Sequence, residues 1–383
     1  MTVLVLLLKI IVVTGIVQLA VAYLILLERK IAAYVQDRIG PNRAGWHGIL
    51  QPIADGVKFI LKEDFVPQSA DRALHALAPA IALVTATMGF AVVPFGPTDP
   101  SDPSKAQFVI APGIDVGLLY IFAVSSLAVY AIVLGGWASN SKYSFLGGLR
   151  SAAQVISYEI PLGLSVLGVV LLARSLNLER IIDAQADRVW FVFYQPLGFL
   201  VFLVAAFAET NRAPFDLPEC EQELVGGYHT EYSGMKFALF FLGEYTHIIT
   251  VSFLTVILFF GGWDLPFWIS REQTGFFAGL AKVLVLLVKA FAMIVFMMWV
   301  RWTLPRFRFD QLMRLAWKGL IPLGLANVVV TAALVHLARG FGLARGLQVA
   351  LVVFWVIAFA MLGGLCLWAI RESRRRALLA KSL

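Results

Sequence analysis

The sequence predicts an all-α fold: a polytopic transmembrane helix bundle of about nine spans, N-terminus outside, with an amphipathic helix and a long acidic loop on the cytoplasmic side. Three observations carry this. Of 383 residues, 60% are hydrophobic and only 14% charged, with a mean hydropathy of +0.82, where ordinary globular chains carry about a quarter charged residues. Nine stretches reach the ~20 predominantly apolar residues that a spanning helix needs. Lys and Arg gather on one side of those stretches.

The stretches lie near 2–27, 77–95, 114–137, 154–173, 190–208, 235–261, 277–300, 319–338 and 344–370. The first is apolar for too long to be a signal-peptide core and shows no small-residue cleavage site before Glu28, so it reads as a retained span. With the N-terminus outside, Lys and Arg of the inner loops and tail outnumber those of the outer loops by nearly three to one. The net charge of +7 is therefore a topology signal rather than a phosphate-binding face. No linker, low-complexity tract or internal repeat divides the chain, and residues 1–383 read as one integral membrane domain. Between the first two spans, Ile49, Leu50, Ile53, Val57, Ile60 and Leu61 recur at helical spacing, with Gln51, Asp55, Lys58 and Lys62 between them. That segment is too short to span and predicts an amphipathic helix at the interface.

Cysteine and histidine usage excludes several chemistries. Cys220 and Cys366 stand far apart, and the five histidines form no HxxxH or HExxH pair. Four thiolates for an iron–sulfur cluster cannot come from this chain, and a His-rich metal site is not expected. Any redox centre must belong to a partner.

One stretch, Phe207 to Tyr245, concentrates acid: Glu209, Asp216, Glu219, Glu221, Glu223, Glu231 and Glu244, offset only by Arg212 and Lys236. Part of it has a structural explanation. Asp216-Leu-Pro-Glu219 matches a capping box, and Gly226-Gly227 can stop a short helix. That account does not reach Glu221 or Glu223. On a helix Glu219 and Glu223 would share a face at i,i+4, where like charges repel. A solvated acidic face is the second plain reading, but Phe207, Phe215, Leu217, Leu224 and Val225 point to packing.

Glu159 and Glu244 fall inside spans, where a carboxylate costs at least about 2 kcal/mol unless paired, hydrated or protonated. A lysine partner (Lys236, Lys282 or Lys289) is one expectation; a proton or ion path is the other. Carboxylates crowded at low dielectric cannot all ionise, so such a row can hold and pass protons. Lys9 reads as a snorkelling residue, His247 and His336 as helix packing, and Trp263 to Trp268 as an interfacial belt.

Longer motifs run through the chain: Glu28-Arg-Lys, Arg38-Ile-Gly-Pro-Asn-Arg43, Gln51-Pro-Ile-Ala-Asp55-Gly-Val-Lys58, Gly136-Trp-Ala-Ser-Asn-Ser-Lys-Tyr-Ser144 and Ile156-Ser-Tyr-Glu159. Ala208-Glu-Thr-Asn-Arg-Ala-Pro-Phe-Asp-Leu-Pro-Glu219, Gly243-Glu-Tyr245 and Arg301 through Arg306-Phe-Arg-Phe-Asp-Gln311 follow. In these the chain closely resembles the H subunits of the proton-pumping NADH:quinone oxidoreductase, respiratory complex I, from the first span to the eighth. The resemblance implies a subunit without a redox centre or catalytic residue of its own, in the bacterial inner membrane. A quinone, ubiquinone or menaquinone, would be the substrate. Flavin and iron–sulfur clusters would sit in partner subunits, those of the peripheral arm at the quinone site and those neighbouring it in the membrane arm. By position, Arg29, Arg38, Asp55, Phe59, Arg212, Phe215, Asp216, Arg301 and Arg306 resemble residues of the quinone chamber and its entrance. Glu28, Glu159, Glu209, Glu219, Glu221, Glu223, Glu231 and Glu244 resemble a proton path. The alternatives are the related membrane subunit of energy-converting hydrogenases and a free-standing proton or cation carrier. The ninth span and the Arg374-Arg-Arg tail are an extension without an expected role beyond lipid or partner contact.

Overall fold

The computed structural model describes residues 3–96, 109–186, 189–216, 225–265, 276–340 and 351–355, with the side chains of 276–278 and 338–340 outside the description. Glu219, Glu221, Glu223, Cys220 and the capping box beginning at Asp216 therefore lie wholly or partly outside it, as do the basic tail and most of the ninth apolar stretch, of which only 351–355 is described, as helix.

The architecture is helical throughout: α1 (Val3–Val35), α2 (Gln51–Leu61), α3 (Arg72–Met88), α4 (Gly117–Ser126), α5 (Ala128–Ala138), α6 (Lys142–Ala173), α7 (Leu178–Ala186), α8 (Phe191–Tyr194) and α9 (Pro196–Glu209). After the acidic segment come α10 (Gly234–Phe259), α11 (Phe276–Thr303), α12 (Phe309–Arg314) and α13 (Ile321–Gly340), the last two joined by a π-helical turn. Among the described residues seven helical runs are long and apolar enough to cross a membrane: 3–35, 72–91, 117–138, 142–173, 234–259, 279–303 and 309–337.

Several helices outrun the apolar stretches that announce them. At 33 residues α1 is about 50 Å long, against a hydrocarbon thickness of about 30 Å. Hydropathy ends at Leu27, but nothing in Glu28-Arg-Lys breaks a helix, so Glu28 lies within α1. Likewise α6 begins at Lys142, which places Glu159 near its middle rather than early in a span. The stretch 190–208 is not one helix. Gln195 (φ −132°) separates α8 from α9, where Pro196 opens a helix of 14 residues.

α10 is the centre of the bundle. It packs against α1, α3, α7 and α11, and from Ile248 to Phe259 every residue is buried. Its hydroxyls turn back on the helix: Thr246, Thr250, Ser252 and Thr255 each donate to the carbonyl four residues earlier, at 2.6–3.0 Å. α1 is the opposite case, with Val3, Leu4, Leu7, Leu8, Ile11, Ile16 and Leu19 all exposed. α2 buries no residue fully, and its Ile53, Val57, Ile60 and Leu61 form a bare apolar side.

Backbones meet closely at one end. A Cβ on Gly147 of α6 would stand 2.7 Å from the backbone of Gly227, so α6 and the segment before α10 touch with no side chain between them. α3 enters from the same end, with Asp71 capping it by accepting from the Ala73 and Leu74 amides (2.9 and 3.2 Å).

Candidate functional site

The end of the bundle that carries α2 and residues 209–216 and 225–233 holds a chain of charge contacts. Glu28 is 5% exposed. It is ion-paired with Arg301 of α11 and accepts the Tyr245 hydroxyl at 2.6 Å. The face of the Tyr245 ring lies 4.2 Å from the Arg212 guanidinium, which also stands over Phe241. Arg212, itself buried, reaches the Glu244 carboxylate at 3.4 Å, and the Tyr228 hydroxyl donates to Glu244 at 2.8 Å. Five elements thus meet in one line, Arg301–Glu28–Tyr245–Arg212–Glu244–Tyr228, with two carboxylates matched by two guanidinium groups. Pairing of this kind offsets the cost of burying charge.

Gln154 of α6 holds the segment that carries Arg212. Its amide donates to the Ala208 carbonyl (2.9 Å), the Asn211 side-chain oxygen (3.2 Å) and the Phe215 carbonyl (2.8 Å). The segment also contains a cis Ala213–Pro214 bond. Next to it Asp216 pairs with Arg306 at 3.1 Å, the Phe307 amide donates to the Pro214 carbonyl, and the Phe215 and Phe307 rings stack at 5.4 Å. Tyr158 completes this wall, 5.7 Å from Phe215, with its hydroxyl on the Leu312 carbonyl.

Beside the line lies a small cavity of about 40 Å³ lined by Glu209, Glu244, His247, Ser125, Tyr228 and Asn211 among others, large enough to hold water. An open apolar crevice of about 490 Å³ runs between α1, α10 and α11, lined by Ile16, Tyr23, Leu24, Leu27, Phe291 and Ile294 among others. It ends at Leu27, next to Glu28. A second apolar crevice shares Ile16, Val17, Phe95 and Leu287 with it and continues towards Lys9.

The remaining expected residues lie further out. Arg29 pairs with Asp55 at 2.6 Å, and Lys58 and Gln51 reach the same carboxylate at 3.2 and 3.3 Å. Partial burial alone would raise the Asp55 pKa, but Lys58, Arg29 and Gln51 outweigh it and hold the carboxyl below its ordinary value. Arg38 bonds Gln36 in the exposed turn after α1, and Phe59 packs on Phe237 of α10 at 6.4 Å. Glu231 is half-buried in the turn before α10, and Glu159 is half-buried between exposed Ile156 and Ile160.

One expectation changes. The cation facing Glu244 is Arg212 rather than a lysine; Lys236 pairs with Asp64 at 2.9 Å, and Lys289 is held by backbone carbonyls. Asp216 faces Arg306. Among the described residues Glu28, Glu244, Asp216 and Asp55 each face a cation, while Glu209 and Glu244 line one cavity. Sequence reasoning assigned no role to Tyr228, Tyr245 or Gln154, and read His247 as packing. Only Tyr245 carried a signal, since it closes the Gly243-Glu-Tyr245 motif. Among the described residues no three of His, Cys, Asp and Glu converge as a metal site requires.

These elements make up a multi-pass helical membrane protein with buried charge pairs at one end of the bundle and an open apolar crevice along it. A sequence model of the NADH dehydrogenase family matches residues 8–332. An H subunit of the NADH-quinone oxidoreductase of Geobacter metallireducens is 50% identical over 340 residues, covering 86% of this chain and 95% of its own. Subunit 8 of the Rhodothermus marinus enzyme is 51% identical over 324 residues (82% and 92%), and the Flavobacterium johnsoniae H subunit 49% over 311 (80% and 88%). The chain belongs to this family, the H subunits of NADH-quinone oxidoreductase, respiratory complex I. It is a membrane subunit of that enzyme complex, and other subunits of the complex are its partners.

Proposed function

We propose that this subunit forms much of the chamber in which a long-tailed quinone is reduced, and that it couples the reduction to proton translocation. The observation that carries the reading is the apolar crevice between α1, α10 and α11, which is open on one side and reaches Leu27, the residue before Glu28. An isoprenoid tail needs such a wall, and a headgroup needs a few polar groups at its end. Arg301, Tyr245 and Arg212 are polar groups of the right kind, because guanidinium suits the negative charge that grows on a quinone accepting electrons. The electrons come from partner subunits that hold flavin and iron–sulfur clusters. Phe215, Phe59 and the Asp216–Arg306 pair extend the chamber wall, with Arg29, Asp55 and Arg38 at its entrance.

Reduction alters the charge that Arg301 and Arg212 face. A carboxylate whose cation is drawn away takes a proton more readily. Glu28 and Glu244 respond in this way, and the cavity at Glu209 and His247 offers water to carry the proton towards Glu159. Glu219, Glu221, Glu223 and Glu231 belong to the same path by their place in the chain. The orientation fits a bacterial inner membrane with the acidic end in the cytoplasm, under the peripheral arm.

Glu244→Gln and Glu159→Gln test this in the intact complex reconstituted in liposomes. NADH oxidation should continue at a reduced rate, while the pH gradient built per quinone reduced collapses. Unchanged pumping in both variants would remove the coupling half of the proposal. Unchanged KM for quinone in Arg301→Lys would remove the chamber half.

A further inference from the structure

The opposite end of α10 holds a cation in a different manner. After Phe259 the chain turns through Phe260–Asp264, with Gly261 and Gly262 both in the left-handed region (φ +71° and +57°). Only glycine fits there: a Cβ on Gly261 would meet the Trp190 indole at 2.8 Å, and one on Gly262 the Ile182 side chain at 2.7 Å. The turn aims three carbonyl oxygens at one point. Lys289 Nζ of α11 occupies it, 2.8 Å from Phe260 O, 3.0 Å from Gly262 O and 2.6 Å from Asp264 O, with the Trp190 ring centroid 4.6 Å away. All three ammonium N–H groups find an acceptor.

Neighbouring backbone groups are satisfied by another side chain. The Gln185 amide donates to the Ile257 carbonyl at 2.8 Å, and its oxygen accepts the Phe191 and Gly261 amides at 3.1 Å each. That leaves the three converging carbonyls as the donor set of a small monovalent cation, since carbonyl rings replace an ion's water and an aromatic face adds attraction. We propose that the Phe260–Asp264 turn is a monovalent-cation site whose permanent occupant is the chain's own Lys289 ammonium, and that this tethered ion keeps free cations out of that end of the bundle. Tethering matters because an attached ammonium acts at an effective concentration above that of dilute free ions. Vacated, the site takes ammonium, methylammonium or potassium.

The test uses the purified, intact complex carrying Lys289→Ala. Its thermal unfolding is followed in choline chloride and in ammonium, methylammonium or potassium chloride at equal ionic strength. The variant should melt lower than wild type in choline and recover most of the loss in at least one of the small cations, while wild type is indifferent. In liposomes, without NADH or quinone, the variant should dissipate an imposed potassium gradient several-fold faster than wild type. This passive leak is independent of any coupling to quinone reduction. Lys289→Val also vacates the carbonyls while keeping an apolar helix side chain, and it replaces the alanine variant where that one does not assemble; the same cation dependence and leak are expected. Melting that ignores the cation, or wild-type tightness in the assembled variant, overturns the proposal.

Discussion

The two ends of the bundle hold cations in opposite ways. At one, Arg301, Arg212 and Arg306 face the carboxylates of Glu28, Glu244 and Asp216. At the other, Lys289 faces backbone carbonyls. A carboxylate can take up a proton and let its partner go, whereas a carbonyl cannot. The contrast is one of partner chemistry: at the first end both members of each pair are ionisable side chains, and at the second only the lysine is.

Arg301→Met puts the contrast under the greatest stress. It strands the buried Glu28 charge and should cost about 3–5 kcal/mol, the penalty of removing one partner of a buried pair. The readout is a large fall in the melting temperature of the complex or loss of assembly. Glu28→Gln combined with Arg301→Met should cost clearly less than the two single changes added together. Simple additivity would mean that the two groups do not act as a pair. Gln154→Leu comes next. It removes the donors that hold Ala208, Asn211 and Phe215, and should destabilise by about 2 kcal/mol, with slowed quinone-dependent NADH oxidation because Arg212 loses its support. A full-rate variant would show that the segment holds itself.

Asp55→Asn should have the smallest effect, under about 1 kcal/mol, since Arg29 and Lys58 are largely exposed. Its signature is pH dependence. The Asp55 pKa is lowered in the fold, so its contribution is present above the ordinary carboxylate pKa of about 3.9 and fades as pH falls through the lowered value. The Asn variant should lack that part of the acid-side slope, measured in the intact complex.

Much of this was legible in the sequence, for reasons that individual residues make plain. Apolar runs announced α1, α3, α10 and α11, because burial in lipid leaves a strong compositional mark. The helical spacing of Ile53, Val57 and Ile60 announced α2. Helix ends were less legible: charge stops hydropathy at Leu27 but does not stop the backbone, so α1 runs on to Val35. Pairings were the least legible. Glu28 and Arg301 stand 273 residues apart, and no local pattern marks one as the other's partner. Gln154 reads as an ordinary polar residue in a span until the carbonyls of Ala208 and Phe215 are brought to it.

Gly147 and Gly227 also act mechanically. Two backbones that touch without side chains between them have no slack to absorb motion. The Gly227–Tyr228 turn, where Tyr228 grips Glu244, bears directly on the α6 rod. Glu159 sits twelve residues further along that rod, about 18 Å away at helical rise. The chain therefore joins the turn that carries Tyr228 to the helix that carries Glu159 through a direct backbone contact, a second connection beside the line of charge contacts.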